Sequence, residues 1–224
     1  MFPVKLPVRL TKPERANVYG VMLNSQRALD HLGAALHEAP YKAPPSAPIL
    51  YVKPAITVAG QGVAVDLPAG AESVCVSATL GLIIGQTTRK VSVEEADEHI
   101  AGFRIASDLH LPLADHYRPA FEARCRDNFL PLGPPLEWHP KLKLSTLDIR
   151  VYINERQAHE RRLDDLVRSP QQLIADVSDY MTLQPGDLLL IGLPHDPPEA
   201  GPGARVRIEV PSVGVLSHTI AGAA

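Results

Sequence analysis

Val76-Ser77-Ala78-Thr79-Leu80-Gly81-Leu82-Ile83-Ile84-Gly85 decides the fold. The stretch carries no charge and is built from apolar, β-branched and small side chains. That composition predicts a buried strand, reaching back to Val74 and running into a glycine turn. Working outward, residues 48–52, 63–67, 103–106 and 146–153 share the same character and predict further strands. Residues 18–23 are a shorter candidate.

Helical spacing is rarer. Leu29, Leu32 and Leu36 recur every three to four residues and predict a helix over 25–38, ending before Pro40. Between Ala39 and Pro45 the chain must be extended, because a residue before proline is pushed out of the α region. Ser92-Val93-Glu94-Glu95 reads as a capping box opening a helix to about residue 100. Ser169-Pro170 is an N-cap followed by proline in the first turn, with Leu173, Val177 and Tyr180 on one face. Gln184-Pro185-Gly186-Asp187 fits a type II turn feeding a strand at 188–191, and Gly201-Pro202-Gly203 repeats the device before 205–210. Strands outnumber helices. The expectation is an α+β protein, mainly β: a curled mixed sheet, rolled or sandwiched, with a few short helices. An N-terminal arm over 1–17, broken by prolines, precedes one domain over 18–220.

With 224 residues, 45% of them hydrophobic, the chain can bury a substantial core. A net charge of -3 with interspersed signs leaves no basic stripe, so no nucleic-acid partner is expected. Nowhere do about 18 apolar residues run together, so no membrane span is expected either. Pro3, Pro7 and Pro13 interrupt the N-terminus, which lacks the apolar core of a signal peptide. Cys75 and Cys125 have no metal-ligand spacing and should stay reduced in the cytoplasmic setting these features imply.

Several segments, taken in order, resemble the fumarylacetoacetate hydrolase superfamily. They are Tyr51-Val52-Lys53-Pro54, the strand ending Ile83-Ile84-Gly85, the run Glu94 to Phe103, Asp108, the run Arg126 to Pro134, and Leu183-Gln184-Pro185-Gly186-Asp187 with Gly192 and Pro194 behind it. Ala39 to Pro45, His116-Tyr117-Arg118-Pro119-Ala120 and Cys125-Arg126-Asp127 carry a closer likeness. They resemble the N-terminal half or subunit of the family's two-part isomerase/decarboxylase of homoprotocatechuate breakdown. The resemblance implies a role in 4-hydroxyphenylacetate catabolism. There, 5-oxopent-3-ene-1,2,5-tricarboxylate is decarboxylated and 2-hydroxyhepta-2,4-diene-1,7-dioate is isomerised.

Such enzymes chelate a 2-oxo acid on magnesium or manganese, which the family holds with three carboxylates. At the matching positions here stand Ser77, Thr79 and Asp108. No metal is therefore expected in this chain, and magnesium or manganese is expected in a sister subunit. Asp108 is either a surviving site residue or a turn residue bound to nearby amides. The family's His-Glu dyad, which moves a proton, falls on Ala28 and His31, so only a lone histidine remains. The family's lysine falls on Arg124, which can clamp a carboxylate but cannot serve as a base. Lys53 either holds a substrate carboxylate or is a surface lysine at a strand end. Arg118, beside Tyr117 and stiffened by Pro119, suits a polycarboxylate or a structural ion pair. In the family's Thr-Gly-Thr-Pro turn this chain reads Ile191-Gly192-Leu193-Pro194, keeping Gly192 and losing both hydroxyls.

Lys53, Asp108 and Arg124 are thus the catalytic candidates, and Tyr117, Arg118, Arg126 and Gly192 the substrate-binding ones. Two functions fit. One is a decarboxylase or isomerase component acting on a short acidic oxo- or hydroxy-dienoate, whose decarboxylation can use a cationic sink in place of a metal. The other is a catalytically eroded partner that keeps its fold to complete an assembly. A homodimer, or a heteromer with the metal-bearing sister, is the expected state.

Overall fold

The computed structural model describes residues 16–113, 120–139, 142–211 and 213–222. Among them the strands, in chain order, are β1 (Val18–Met22), β2 (Ile49–Lys53), β3 (Val58–Gly60), β4 (Ala64–Asp66) and β5 (Val74–Ile84). There follow β6 (Ile100–His110), β7 (Leu130–Leu132), β8 (Leu136–Glu137), β9 (Asp148–Ile153) and β10 (Arg156–Arg162). The last are β11 (Leu188–Leu190), β12 (Glu199–Ala200), β13 (Arg205–Val210) and β14 (Gly214–Ala221). Three α-helices, α1 (Gln26–Leu32), α2 (Phe121–Arg124) and α3 (Pro170–Tyr180), lie between them. No helix among the described residues is long and apolar enough to cross a membrane.

The strands form two mixed sheets. The larger runs β2-β1-β11-β5-β6-β7-β3, with β12 on β5 and β8 on β6; the smaller runs β10-β9-β13-β14-β4. At the centre of the larger sheet, β5 and β6 pair antiparallel, Ser77 opposite Asp108 and Cys75 opposite His110. All eleven residues of β5 are buried, so alternation serves two different apolar environments. Val74, Val76, Ala78, Leu80, Leu82 and Ile84 pack with Val206, Ile208 and Leu216 of the smaller sheet in the main core. Cys75, Ser77, Thr79 and Ile83 take the other face, where Ile83 joins Val18, Ala106, Leu188 and Leu190. The polar candidates therefore share the face turned away from the second sheet.

That face is strongly concave. Four steps along the sheet separate β2 from β6. In a flat sheet those steps amount to roughly 19 Å. Yet Lys53 Nζ on β2 lies 2.8 Å from the Asp108 carboxylate on β6. The sheet curls until its edge strand faces its centre, forming a half-barrel with the side chains of β2 and β6 meeting inside. Gly20, paired with Tyr51 across β1 and β2, permits this, since a Cβ there would sit 2.0 Å from the Tyr51 ring.

Local signals came through with shorter helices than their spacing implied. α1 stops at Leu32 because Gly33 takes φ +47, and a 3-10 turn over Gly33–His37 completes the segment. The capping box forms, with Ser92 and Glu95 exchanging hydrogen bonds, but it opens only a 3-10 turn over Ala96–His99. Ser169 caps α3 through the Gln172 amide; Leu173 and Val177 are buried, while Tyr180 is exposed rather than on the packed face. Gly186 adopts φ +92, as its turn requires.

Candidate functional site

Asp108 lies within β6, two residues before its end, with no exposed surface, so it is a strand residue and not a turn or cap. Its carboxylate meets three side chains. Lys53 Nζ is 2.8 Å from Oδ1, the Tyr51 hydroxyl donates to Oδ2, and Arg124 Nη1 stands 3.9 Å from Oδ2. Burial alone would raise the Asp108 pKa, but the neighbouring ammonium and guanidinium hold it below the usual carboxylate value. The Tyr51 phenol is pushed well above 10, first by burial and then by the adjacent carboxylate.

Lys53 is 1% exposed, which rules out the surface-lysine reading. Pro54 ends β2 just after it, and the sheet's curl sends its side chain inward. Beyond Asp108, its ammonium donates to the Leu109 carbonyl at 3.1 Å and the Arg124 carbonyl at 2.7 Å. Two carbonyls and a carboxylate therefore surround it. Its role in the fold is to neutralise Asp108.

Arg124 differs. α2 delivers it into the concave face at 3% exposure, 5.2 Å over the Tyr51 ring. Among the described residues Nε, Nη1 and Nη2 all lack a hydrogen-bond acceptor. A buried guanidinium with its donors unsatisfied is costly, and natural structures keep such groups for a reason. The matching ligand for its planar fork is a carboxylate.

Across β5, Ser77 Oγ lies 3.1 Å from His110 Nε2. The other ring nitrogen of His110 is 2.8 Å from the Leu111 carbonyl. A carbonyl only accepts, so Nδ1 carries the proton and Nε2 receives the serine hydroxyl. Thr79 Oγ1 instead donates to the Gly192 carbonyl at 2.6 Å, which Arg161 also contacts at 3.2 Å. Gly192 adopts φ +138 and packs against Asn24, whose Cβ would be 3.1 Å from an added Cβ. That carbonyl is therefore engaged by the protein's own side chains.

The remaining candidates are dispersed. Arg126 stays at the surface, where Glu122 receives its guanidinium, and does not join Lys53 and Arg124. His31 is exposed on α1, its ring 5.2 Å from His195. Tyr117 and Arg118 lie outside the described residues. Tyr51 and His110 were missed. Strand alternation could have found His110, since it stands two residues beyond Asp108, but the predicted strand stopped at residue 106.

A divalent cation does not fit this arrangement. Magnesium and manganese need several oxygen donors with net negative charge. Among the described residues the carboxylate here, Asp108, is ion-paired with a lysine and stands 3.9 Å from a guanidinium, and the Ser77 and Thr79 hydroxyls face a histidine and a backbone carbonyl. Among the described residues no three His, Cys, Asp or Glu side chains converge on a metal position.

Buried histidines make stability depend on pH. Burial pushes His110 down to about 4, helped by Arg124, and pushes His218, 2.9 Å from Ser107 between the sheets, down to about 4 as well. Both are neutral in the folded chain but protonate near 6.5 once unfolded. Stability is therefore complete above about pH 6.5 and falls as pH drops toward 4, by about 2 kcal/mol per histidine at pH 5. Urea midpoints at pH 7.5 and pH 5 test this, and His218→Gln should flatten the slope. An unchanged midpoint would refute it.

A curled β half-barrel with a polar cluster on its concave face defines a class, and the family model agrees. Residues 17–221 match fumarylacetoacetate (FAA) hydrolase C-terminal, so the chain belongs to the fumarylacetoacetate hydrolase family, a family of enzymes. Among curated proteins it is 40% identical over 194 residues to the 4-hydroxyphenylacetate degradation bifunctional isomerase/decarboxylase of Escherichia coli. The alignment covers 87% of this chain and 44% of that protein. The protein of the same description from Salmonella dublin is 38% identical over 92% of this chain and 47% of its own length. The chain thus spans less than half of these relatives. The crystal structure of 5-carboxymethyl-2-hydroxymuconate delta-isomerase from Mycobacterium smegmatis superposes with a TM-score of 0.76 at 26% identity, covering 93% of this chain and 80% of that one. Fumarylpyruvate hydrolase from Pseudomonas aeruginosa, at 21% identity and TM-score 0.79 over 99% and 98% of the two chains, shares the fold.

Proposed function

We propose that this chain is a component of a decarboxylase/isomerase of 4-hydroxyphenylacetate catabolism, acting on a short acidic 2-oxo or 2-hydroxy-dienoate without a metal of its own. The substrates would be 5-oxopent-3-ene-1,2,5-tricarboxylate and 2-hydroxyhepta-2,4-diene-1,7-dioate, as the sequence resemblance implies; the relatives' description supports the pathway and the two reaction types. One observation carries the reading: the buried Arg124 guanidinium with no acceptor among the described residues. It would bind the substrate's C1 carboxylate bidentately and withdraw electron density from the adjacent carbonyl, the task a cation performs elsewhere. Tyr51 and Lys53 hold the Asp108 carboxylate at closer range than the guanidinium does, which stands 3.9 Å away.

The test is calorimetric titration of the full chain with oxalate in excess EDTA. Binding in the micromolar to millimolar range, undiminished by the chelator, supports the reading. Binding that appears only after magnesium or manganese is added would overturn it.

A second reading, the catalytically eroded partner of a magnesium- or manganese-bearing sister subunit, draws support from the sheet edge. There β2 exposes Ile49 and Val52, and Ile56 and Phe121 are also exposed. Such a surface suits coverage by a homologous domain or a second copy. Absence of oxalate binding, together with co-purification with the sister chain, would favour this reading over the first.

A further inference from the structure

We propose that Ser77 and His110 form the proton-transfer pair of this site, with Ser77 Oγ meeting the substrate and His110 Nε2 behind it. The proposal rests on the reading that Arg124 holds the carboxylate of a 2-oxo or 2-hydroxy-dienoate acid. Its own support is geometric. The β5–β6 register places Ser77 opposite Asp108 and turns His110 toward the same face. The serine oxygen is 3.1 Å from Nε2, and Nδ1 is tied at 2.8 Å to the Leu111 carbonyl. A hydroxyl, a neutral imidazole and an orienting acceptor stand in line, the arrangement that makes a hydroxyl responsive to proton transfer.

The rest of the cluster leaves the task to this pair. Asp108 is occupied by Lys53 and Tyr51, and Thr79 donates to Gly192. His218 offers an internal comparison. It too is buried beside a serine, but between the two sheets rather than on the concave face. His110 differs in place: it shares the concave face with Arg124, and its two ring nitrogens meet Ser77 and the Leu111 carbonyl.

The step balances without a co-reactant. In ketonisation of a 2-hydroxydienoate, the enol O–H proton passes to Ser77 Oγ as the serine proton moves to His110 Nε2. The electron pair of the broken O–H bond becomes the C2 carbonyl, while the former C2=C3 pair takes up a proton at C3. That proton comes back through Ser77 as the imidazolium returns its own. Read in reverse, the same relay enolises a 2-oxo acid and exchanges its C3 hydrogens with solvent.

Pyruvate in D2O containing EDTA is the probe, with loss of the methyl proton signal followed by NMR. The wild-type chain should catalyse the exchange. Ser77→Ala should slow it about 100-fold, and His110→Asn should do likewise, the usual span for loss of acid–base catalysis. Oxalate affinity should fall about tenfold at most in both, the worth of one hydrogen bond. Ser77→Thr, which keeps the hydroxyl, should recover part of the rate. If His110→Asn fails to fold, Ser77→Ala decides the matter, since it deletes one oxygen. Exchange that survives Ser77→Ala overturns the proposal, as does a wild-type chain that binds oxalate through Arg124 but exchanges nothing. Failure to bind oxalate at all overturns the underlying reading instead.

Discussion

Lys53→Met should destabilise the chain by about 3 kcal/mol or more, because it strands a buried carboxylate. Among the described residues, Asp108 would keep only the Tyr51 hydroxyl and an arginine 3.9 Å away. Neither replaces an ammonium in contact at 2.8 Å. The Leu109 and Arg124 carbonyls would lose their donor as well. Urea denaturation at pH 7.5 measures the loss. The double variant Lys53→Met with Asp108→Asn should recover most of it, since the uncompensated charge is then gone. A loss below 1 kcal/mol in the single variant would show that Lys53 is not the counter-ion the geometry implies.

Arg124→Leu should have the opposite sign on stability and the largest effect on binding. The wild-type guanidinium is buried with its donors unsatisfied among the described residues, and Asp108 already has Lys53. Removing a buried guanidinium with unsatisfied donors outweighs losing its 3.9 Å contact with Asp108, for a net gain of about 1–3 kcal/mol. For a domain of this size the melting temperature should rise by roughly 2–4 °C per kcal/mol. Oxalate affinity should fall about 100-fold, the worth of two charge-assisted hydrogen bonds. A side chain that weakens the fold yet enables binding is kept for its ligand. If Arg124→Leu melts lower than wild type and binds oxalate unchanged, Arg124 is a structural residue.

The two variants separate roles that the sequence presents as alike. Lys53 and Arg124 were both basic residues in matching motifs, and both were candidates for holding a carboxylate. Lys53 turned out to be saturated by the protein, with Asp108 and two main-chain carbonyls around it. Among the described residues Arg124 kept its donors without a hydrogen-bond acceptor. No spacing rule separates them, because the difference lies in which acceptors the fold places nearby. Arg126 teaches the same lesson: it is two residues from Arg124, yet Glu122 draws it back to the surface.

What the sequence determined by itself is local. Unbroken apolar and β-branched character marked β5, with its bounds at Val74–Ile84. Serine followed by proline marked the start of α3, and Pro185-Gly186 marked the turn into β11, because cap and turn chemistry act over a few residues. Set beside the family it resembles, the chain was likewise legible as lacking two carboxylates, at Ser77 and Thr79. Only the tertiary structure decided what took over. Tyr51 and Lys53 reach Asp108 from the far edge of the sheet because the sheet curls, and curl is the summed twist of many strands packed over the smaller sheet. The β5–β6 pairing likewise gave Ser77 a histidine partner thirty-three residues away. Contacts of that kind depend on register and curvature, which belong to the assembled sheet and to no single segment of it.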